Sequence, residues 1–292
     1  MSPAEAGFDE EALDAFVEFA GGHGCVVRCG YLVRAWGNQT ERADVASAVK
    51  PVYTHLLLRS LETGRIGHLD DRVAEIRPEL NDLNPDLGHP DREITWRHLA
   101  NQTSGYGVED RPGEAFDYND LQMALLADLL ILDVYRSSLE AVDENVLTPF
   151  FSEPMGCQDD PTMYHTRSLP GRLRISVRDF ARFGHLYLSR GRWKGRQVLS
   201  EEAVRLATTS PLPPSVPTTA GVPAEMLPGQ RSVGTHPHDA RHLNSYSYCW
   251  WLNGVMDDGR RVLKHAPVDT YGAFGHGGTH ALIIIPLSLI HI

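Results

Sequence analysis

Between Ser47 and Leu58 the chain carries a run that reads as the start of a buried helix. Ser47-Ala48-Val49-Lys50 leads into Pro51-Val52-Tyr53-Thr54-His55-Leu56-Leu57-Leu58, which is mostly apolar. A helix lacking a polar face belongs inside a protein. Pro51 helps to place its start, because a proline nitrogen cannot donate to the Ser47 carbonyl and proline is tolerated in a first turn. Ser47 and Lys50 lie three residues apart and share one face. A candidate nucleophile and a candidate base therefore stand at the N-terminal end of a core helix, where the helix dipole favours developing negative charge.

Around this helix the pattern is strands at both ends and helices between. Residues 8–20 read as a helix with Leu13, Phe16, Val17 and Ala20 on one side and Gly21-Gly22 as its stop. Cys25–Arg28 and Tyr31–Trp36 read as two strands about a turn at Gly30. From Ser47 to about Gly191 the chain is mainly helical, and Thr95, Ser176 and Ser200 are expected N-caps. Ser210 to Gln230 is rich in Pro, Thr and Gly and reads as a long loop of the kind that borders functional sites. Strand character returns at Tyr246–Leu252, Gly272–Gly275 and Ala281–Ile285. The expected fold class is α/β in the α+β sense: one antiparallel sheet built from both chain ends, flanked by helices, with a mainly helical inserted region. We expect a single catalytic domain over residues 1–286. Residues 1–40 and 240–286 would be its sheet part and 41–239 its helical part.

The six residues Leu287–Ile292 read as a non-native tail that interrupts a strand near Pro286, so a further strand and a final helix are expected beyond them. The N-terminus lacks the basic and apolar regions of a signal peptide, which predicts a cytoplasmic chain as written. A periplasmic or exported location is the alternative, if residues upstream of Met1 belong to the protein.

A formal net charge of -11 and a pI near 5.7 argue against nucleic acid or anionic membranes as partners. No stretch is apolar enough to span a bilayer. Cys25, Cys29, Cys157 and Cys249 lack the paired spacing of a zinc site and read as free thiols. His236, His238 and His242 lie in a polar loop with no carboxylate or cysteine at ligand spacing. No metal or cofactor is expected, and the oligomeric state is left open.

Ser-x-x-Lys alone is common by chance, but later segments join it. Phe116-Asp117-Tyr118-Asn119-Asp120 offers a tyrosine beside a turn, and His276-Gly277-Gly278-Thr279 offers a basic residue followed by glycines. Ile94-Thr95-Trp96-Arg97-His98-Leu99-Ala100-Asn101-Gln102-Thr103-Ser104-Gly105 and Ser176-Val177-Arg178-Asp179-Phe180-Ala181-Arg182-Phe183-Gly184 add two further matches. In this order the segments resemble the serine β-lactamase-like and penicillin-binding-protein-like superfamily, and most closely its class C β-lactamase, esterase and D-aminopeptidase group.

That resemblance implies that Ser47 is the acylated nucleophile and that Lys50 and Tyr118 share the base role. A phenol ordinarily titrates near pH 10, so Tyr118 would need neighbouring positive charge to act as a base. It further implies that Asp120, His276, Gly277, Gly278 and Thr279 border the substrate, with the Thr279 and Ser47 N–H groups forming an oxyanion hole. Two positions depart from the family pattern. Asp120 stands where Asn is usual, and beside Lys50 it would favour the charged amine; capping of the following helix is its alternative role. His276 replaces a permanent cation, which weakens the grip on a substrate carboxylate and points towards D-aminopeptidases and esterases. Trp250 and Trp251 read as core, with the wall of an acyl pocket as the alternative.

The expected function is a serine hydrolase working through an acyl-enzyme on a small-molecule ester or amide. A true β-lactamase or D,D-carboxypeptidase is the alternative enzyme. A non-hydrolysing ligand-binding or sensor module is the alternative of another class.

Overall fold

The computed structural model describes residues 2–166, 171–229, 241–256 and 258–286. The expected tail, Leu287–Ile292, lies outside them, as do His236 and His238. The N-terminal end forms α1 (Glu10–Ala20) and the hairpin β1 (Gly24–Arg28) and β2 (Tyr31–Trp36). Asp9 caps α1 by accepting the Ala12 N–H at 3.1 Å. Of its expected apolar face only Leu13 is buried, and Phe16 stays 47% exposed, edge-on to Trp36. A two-stranded ribbon is too narrow a surface to cover four side chains.

β3 (Ala43–Asp44) leads through a tight turn, Ala46–Val49, into α2 (Lys50–Glu62). Every residue from Lys50 to Leu58 is buried, so α2 is the axis of the core. Each fully buried leucine or valine there contributes about 2 kcal/mol. α3 (Trp96–Ala100) is capped by Thr95, and α4 (Asp120–Asp128) by Asn119, whose side chain accepts the Gln122 N–H at 3.0 Å. Asp120 is therefore the first residue of α4 and not its cap. Its carboxylate is left to face Lys50. Helical turns at Leu129–Val134 and Asp143–Ser152 run into α5 (Glu153–Met155).

The helical middle also contains strands. β4 (Thr162–Tyr164) and β5 (Arg172–Ile175) join β3 in a three-stranded antiparallel sheet of order β3-β5-β4. α6 (Val177–Leu188) follows with Ser176 as its cap, then the hairpin β6 (Arg192–Trp193) and β7 (Arg196–Gln197), then α7 (Glu201–Thr209) capped by Ser200. The long loop then runs back along residues 107–116. Phe116 donates its N–H to Pro217 O at 2.8 Å, and Thr219 donates to Phe116 O at 2.9 Å.

Tyr246–Leu252, expected as one strand, is a hairpin of β8 (Tyr246–Ser247) and β9 (Trp250–Leu252). Its two turn residues, Tyr248 and Cys249, take φ of 43° and 67°. Such turns ordinarily use Asn-Gly, so no local signal announced this one. The strain is held by distant partners: Tyr248 N–H donates to Asn101 Oδ1 at 2.8 Å, and Tyr248 O accepts from Thr54 Oγ1 at 2.7 Å.

β10 (Tyr271–Phe274) and β11 (Ala281–Ile284) complete a four-stranded antiparallel sheet of order β11-β10-β9-β8. The α+β architecture with antiparallel sheets is as expected, but among the described residues the two chain ends form separate ladders. The β1–β2, β8–β9 and β10–β11 pairs are local hairpins, which need little loop-closure entropy, and both ladders dock on α6.

Candidate active site

Ser47 sits in the tight turn between β3 and α2. The turn is bent by Ala46, whose φ of 51° places a non-glycine residue in the left-handed region. That conformation costs about 1 to 2 kcal/mol. Asp44 offsets it by accepting the Ala46 N–H at 2.8 Å. Arg172 binds the same carboxylate through Nε and Nη2, the latter at 2.7 Å, and the Tyr164 hydroxyl donates to it as well. Burial would raise the Asp44 pKa, but these donors outweigh it and hold the carboxyl below its ordinary range.

Lys50 extends from the first turn of α2 with only 4% of its side chain exposed. Its ammonium donates to Ser47 Oγ at 2.8 Å and to Asp120 Oδ1 at 3.0 Å. It also lies 4.7 Å from the centre of the Tyr118 ring. Burial pushes the Lys50 pKa down, while Tyr118 and Asp120 pull it up and prevail, so the amine stays above the ordinary lysine range. Lys50 is a charged donor to the serine oxygen in this arrangement.

Tyr118 is half-buried against Trp251, 5.6 Å away between ring centres, and Tyr246, 6.0 Å away. Its hydroxyl makes no hydrogen bond among the described residues. Gln102 fixes the Tyr118 turn from the end of α3: its carbonyls accept from Asp117 N–H and Asn119 N–H, each at 2.9 Å. Trp250 is fully buried in the core, as expected, whereas Trp251 stands beside Tyr118.

A narrow cleft opens over Ser47, bordered by Lys50, Tyr53, Asp120, Met123 and Arg172. The end of β10 abuts the Ser47 turn. A Cβ on Gly275 would lie 2.8 Å from Val45 O and 3.4 Å from Ala46 Cβ, so only glycine fits without displacement. The turn that follows carries His276, Gly277, Gly278 and Thr279, with His276 and Thr279 exposed. Thr279 N–H is directed at His276 O, 3.5 Å away, and Thr279 Oγ1 donates to the same carbonyl at 2.9 Å.

The fold thus brings Ser47, Lys50 and Asp120 into direct contact and links Tyr118 to them through Lys50. It sets the His276–Thr279 turn alongside by backbone proximity, with no side-chain bond from it to Ser47. Sequence reasoning missed Asp44, Tyr164, Arg172 and Gly275. Gly275 was legible as a third glycine around His276. Asp44 and Arg172 lie 128 residues apart and share no local pattern.

Among the described residues no group of three or more His, Cys, Asp or Glu side chains is placed to hold a metal ion. His242 serves the loop, with Nε2 2.8 Å from Val216 O and Nδ1 accepting the Asn244 N–H. The four cysteines are free thiols. No helix among the described residues is long and apolar enough to cross a membrane.

The chain is 24% identical over 271 residues to an uncharacterized protein of Alkalihalophilus pseudofirmus, covering 85% of this chain and 71% of that protein. Its fold is similar to that of a candidate beta-lactamase of Bacteroides dorei, with a TM-score of 0.65 at 18% identity, covering 95% of this chain and 86% of the other. It is also similar to a candidate 6-aminohexanoate-dimer hydrolase of Bacillus anthracis, with a TM-score of 0.61 at 18% identity over 94% and 73% of the two chains. The family model described as Beta-lactamase matches residues 10–287, nearly the whole chain, and so the chain belongs to the beta-lactamase family of serine hydrolases.

Proposed function

We propose that this protein hydrolyses a small, neutral ester or amide through an acyl-enzyme on Ser47. The observation that carries this reading is the Lys50 ammonium, buried, held charged by Asp120 and 2.8 Å from Ser47 Oγ. A charged lysine cannot take the serine proton. It serves as an electrostatic stabiliser, and Tyr118, with that cation over its ring, takes the base role. In this reading Tyr118 acts as the phenolate: it takes the Ser47 proton as Oγ attacks the carbonyl carbon, and the phenol so formed returns that proton to the leaving group as the C–O or C–N bond breaks. Water then releases the acyl group by the same route.

Charge pairing supports a neutral substrate. Both cations bordering the cleft already have partners, Lys50 with Asp120 and Arg172 with Asp44. His276 is exposed and makes no ion pair among the described residues. Among the described residues, a free carboxylate, as on a β-lactam or a D-Ala-D-Ala terminus, finds no unpaired permanent cation bordering the cleft. The tryptophan beside Tyr118 adds an aromatic wall for an apolar acyl or leaving group.

The test is intact mass after incubation with a fluorophosphonate, alongside Ser47→Ala. One adduct on the parent and none on the variant is expected. A folded parent that takes no adduct would overturn the reading.

One observation favours a second reading, a binding module that acylates without turnover. Thr279 N–H is directed at His276 O, so the expected oxyanion pair is not assembled. Turnover separates the two. A hydrolase shows a burst and then a steady state with an ester substrate, and a binding module shows only a stoichiometric burst.

A further inference from the structure

We propose that Asp44, braced by Arg172 and Tyr164, is a positioning residue that presets the backbone of the Ser47 turn. This rests on the reading of Ser47 as the nucleophile and extends it to what aims that nucleophile.

The turn cannot hold its shape through α2 alone. Ala46, immediately before Ser47, has a φ of 51°, a conformation that an alanine Cβ disfavours. Ala46–Val49 form a single tight turn, closed by the Ala48 N–H on Val45 O at 3.1 Å, and α-helical bonding begins only at Lys50, so α2 itself does not reach back to Ala46. The constraint on the Ala46 N–H itself comes from Asp44, whose Oδ1 accepts it at 2.8 Å across Val45. Val45 N–H is in turn tied to Leu173 O at 3.1 Å.

Asp44 is itself held from a distant part of the chain. Arg172 in β5 donates to both of its oxygens, and Tyr164 in β4 donates to Oδ2. β5 is anchored to the core helix where the Tyr53 hydroxyl donates to Gly171 O, an approach so close that a Cβ on Gly171 would strike the Tyr53 oxygen. The direction of Ser47 Oγ towards Lys50 is therefore set jointly by α2 and the small three-stranded sheet. Arg172 also borders the cleft. With Nε and Nη2 engaged by Asp44, its charge is committed to the brace and not to a substrate anion.

The test compares fluorophosphonate labelling rates and thermal midpoints for the parent, Asp44→Ala, Asp44→Asn, Ala46→Gly and the Asp44→Ala/Ala46→Gly double variant. Displacing the nucleophile should slow labelling of Asp44→Ala by about 10- to 100-fold. Asp44→Asn keeps an acceptor for the Ala46 N–H and should lose less. Ala46→Gly alone should stay within about twofold of the parent, since glycine adopts positive φ freely. In the Asp44→Ala background, Ala46→Gly should recover about fivefold or more of the lost rate. With a turned-over substrate the loss should fall on kcat and leave KM nearly unchanged.

A merely structural role for Asp44 would lower the midpoint without any recovery of rate from Ala46→Gly. Parent-like labelling of Asp44→Ala, or a loss that Ala46→Gly does not restore, overturns the proposal. If the parent itself is not labelled, the reading of Ser47 fails, and the brace is judged on the midpoints. Non-additive effects of the two substitutions then support it, and additive effects overturn it.

Discussion

Lys50 Nζ and Asp120 Oδ1 are 3.0 Å apart, joining a nearly inaccessible ammonium to a carboxylate at the mouth of the cleft. Burial opposes the charge on Lys50, and the negative partners around it overcome that opposition. Asp120→Asn removes one of those partners and leaves burial unopposed to that extent, so the Lys50 pKa falls. If the charged amine is the working form, the alkaline limb of kcat/KM moves to lower pH and activity drops about tenfold near neutrality. If neutral lysine is the base, the same substitution should raise activity. A pH-rate profile in which activity rises and the acid limb moves to lower pH would reject the stabiliser role.

Tyr118→Phe separates the hydroxyl from the ring. The ring contacts with Trp251, Tyr246 and the Lys50 ammonium all survive in phenylalanine, so the thermal midpoint should stay close to that of the parent. Loss of a general base should lower kcat by about 10²- to 10⁴-fold. Steady-state kinetics beside a thermal melt checks both halves. Parent-like turnover would assign the proton transfer to another group.

The contrast between Tyr118 and Asp44 shows how far the site could be read from the chain. Ser47, Lys50 and Tyr118 could be singled out as candidates because each lies in a short segment: a serine and lysine on one helix face, and a tyrosine in Phe116–Asp120, a segment picked out by its resemblance to the family. The caps at Thr95, Ser176 and Ser200 were legible for the same reason, since capping is chemistry over three residues. Asp44 acquires its role only when β5 brings Arg172 beside it, and nothing local marks either residue. The turn at Tyr248-Cys249 failed to show for a related reason. Its positive φ values are sustained by Asn101 and Thr54 from other helices, not by a glycine in place. The separation of the two terminal ladders is likewise a matter of long-range pairing, on which strand propensity is silent.

Gly275→Ala tests the approach of β10 to the Ser47 turn. The glycine has an ordinary negative φ of -83°, so alanine meets no backbone strain there. What it meets is Val45 O at 2.8 Å and His280 Cβ at 2.9 Å. A backbone carbonyl cannot step aside as a flexible side chain can, so the Ser47 turn and the His276 turn must separate by several tenths of an ångström. The expected result is a fall in fluorophosphonate labelling of about tenfold with the fold retained by circular dichroism. Labelling at the parent rate would show that the spacing between these two turns is immaterial to Ser47.

His55 gives a prediction for stability that is independent of the reaction. It lies one turn beyond Lys50 on α2, wholly buried, with its ring 6.0 Å from Phe151, 5.7 Å from Phe183 and 6.1 Å from Tyr187. Nε2 faces Phe150 O at 3.2 Å, and Nδ1 has no partner among the described residues. Burial, the largest influence, lowers its pKa from 6.5 to about 4. The unfolded chain then binds a proton at this residue below about pH 6.5, while the native chain declines it until about pH 4. Stability is therefore present at neutral pH and is lost as the pH falls through that window, by about 3 kcal/mol in all. His55→Gln keeps a donor for Phe150 O and removes the titration. Urea unfolding at pH 7, 6, 5 and 4 should show a shallower acid decline for the variant than for the parent. Identical slopes would mean that His55 takes up its proton in the folded protein as readily as in the unfolded one.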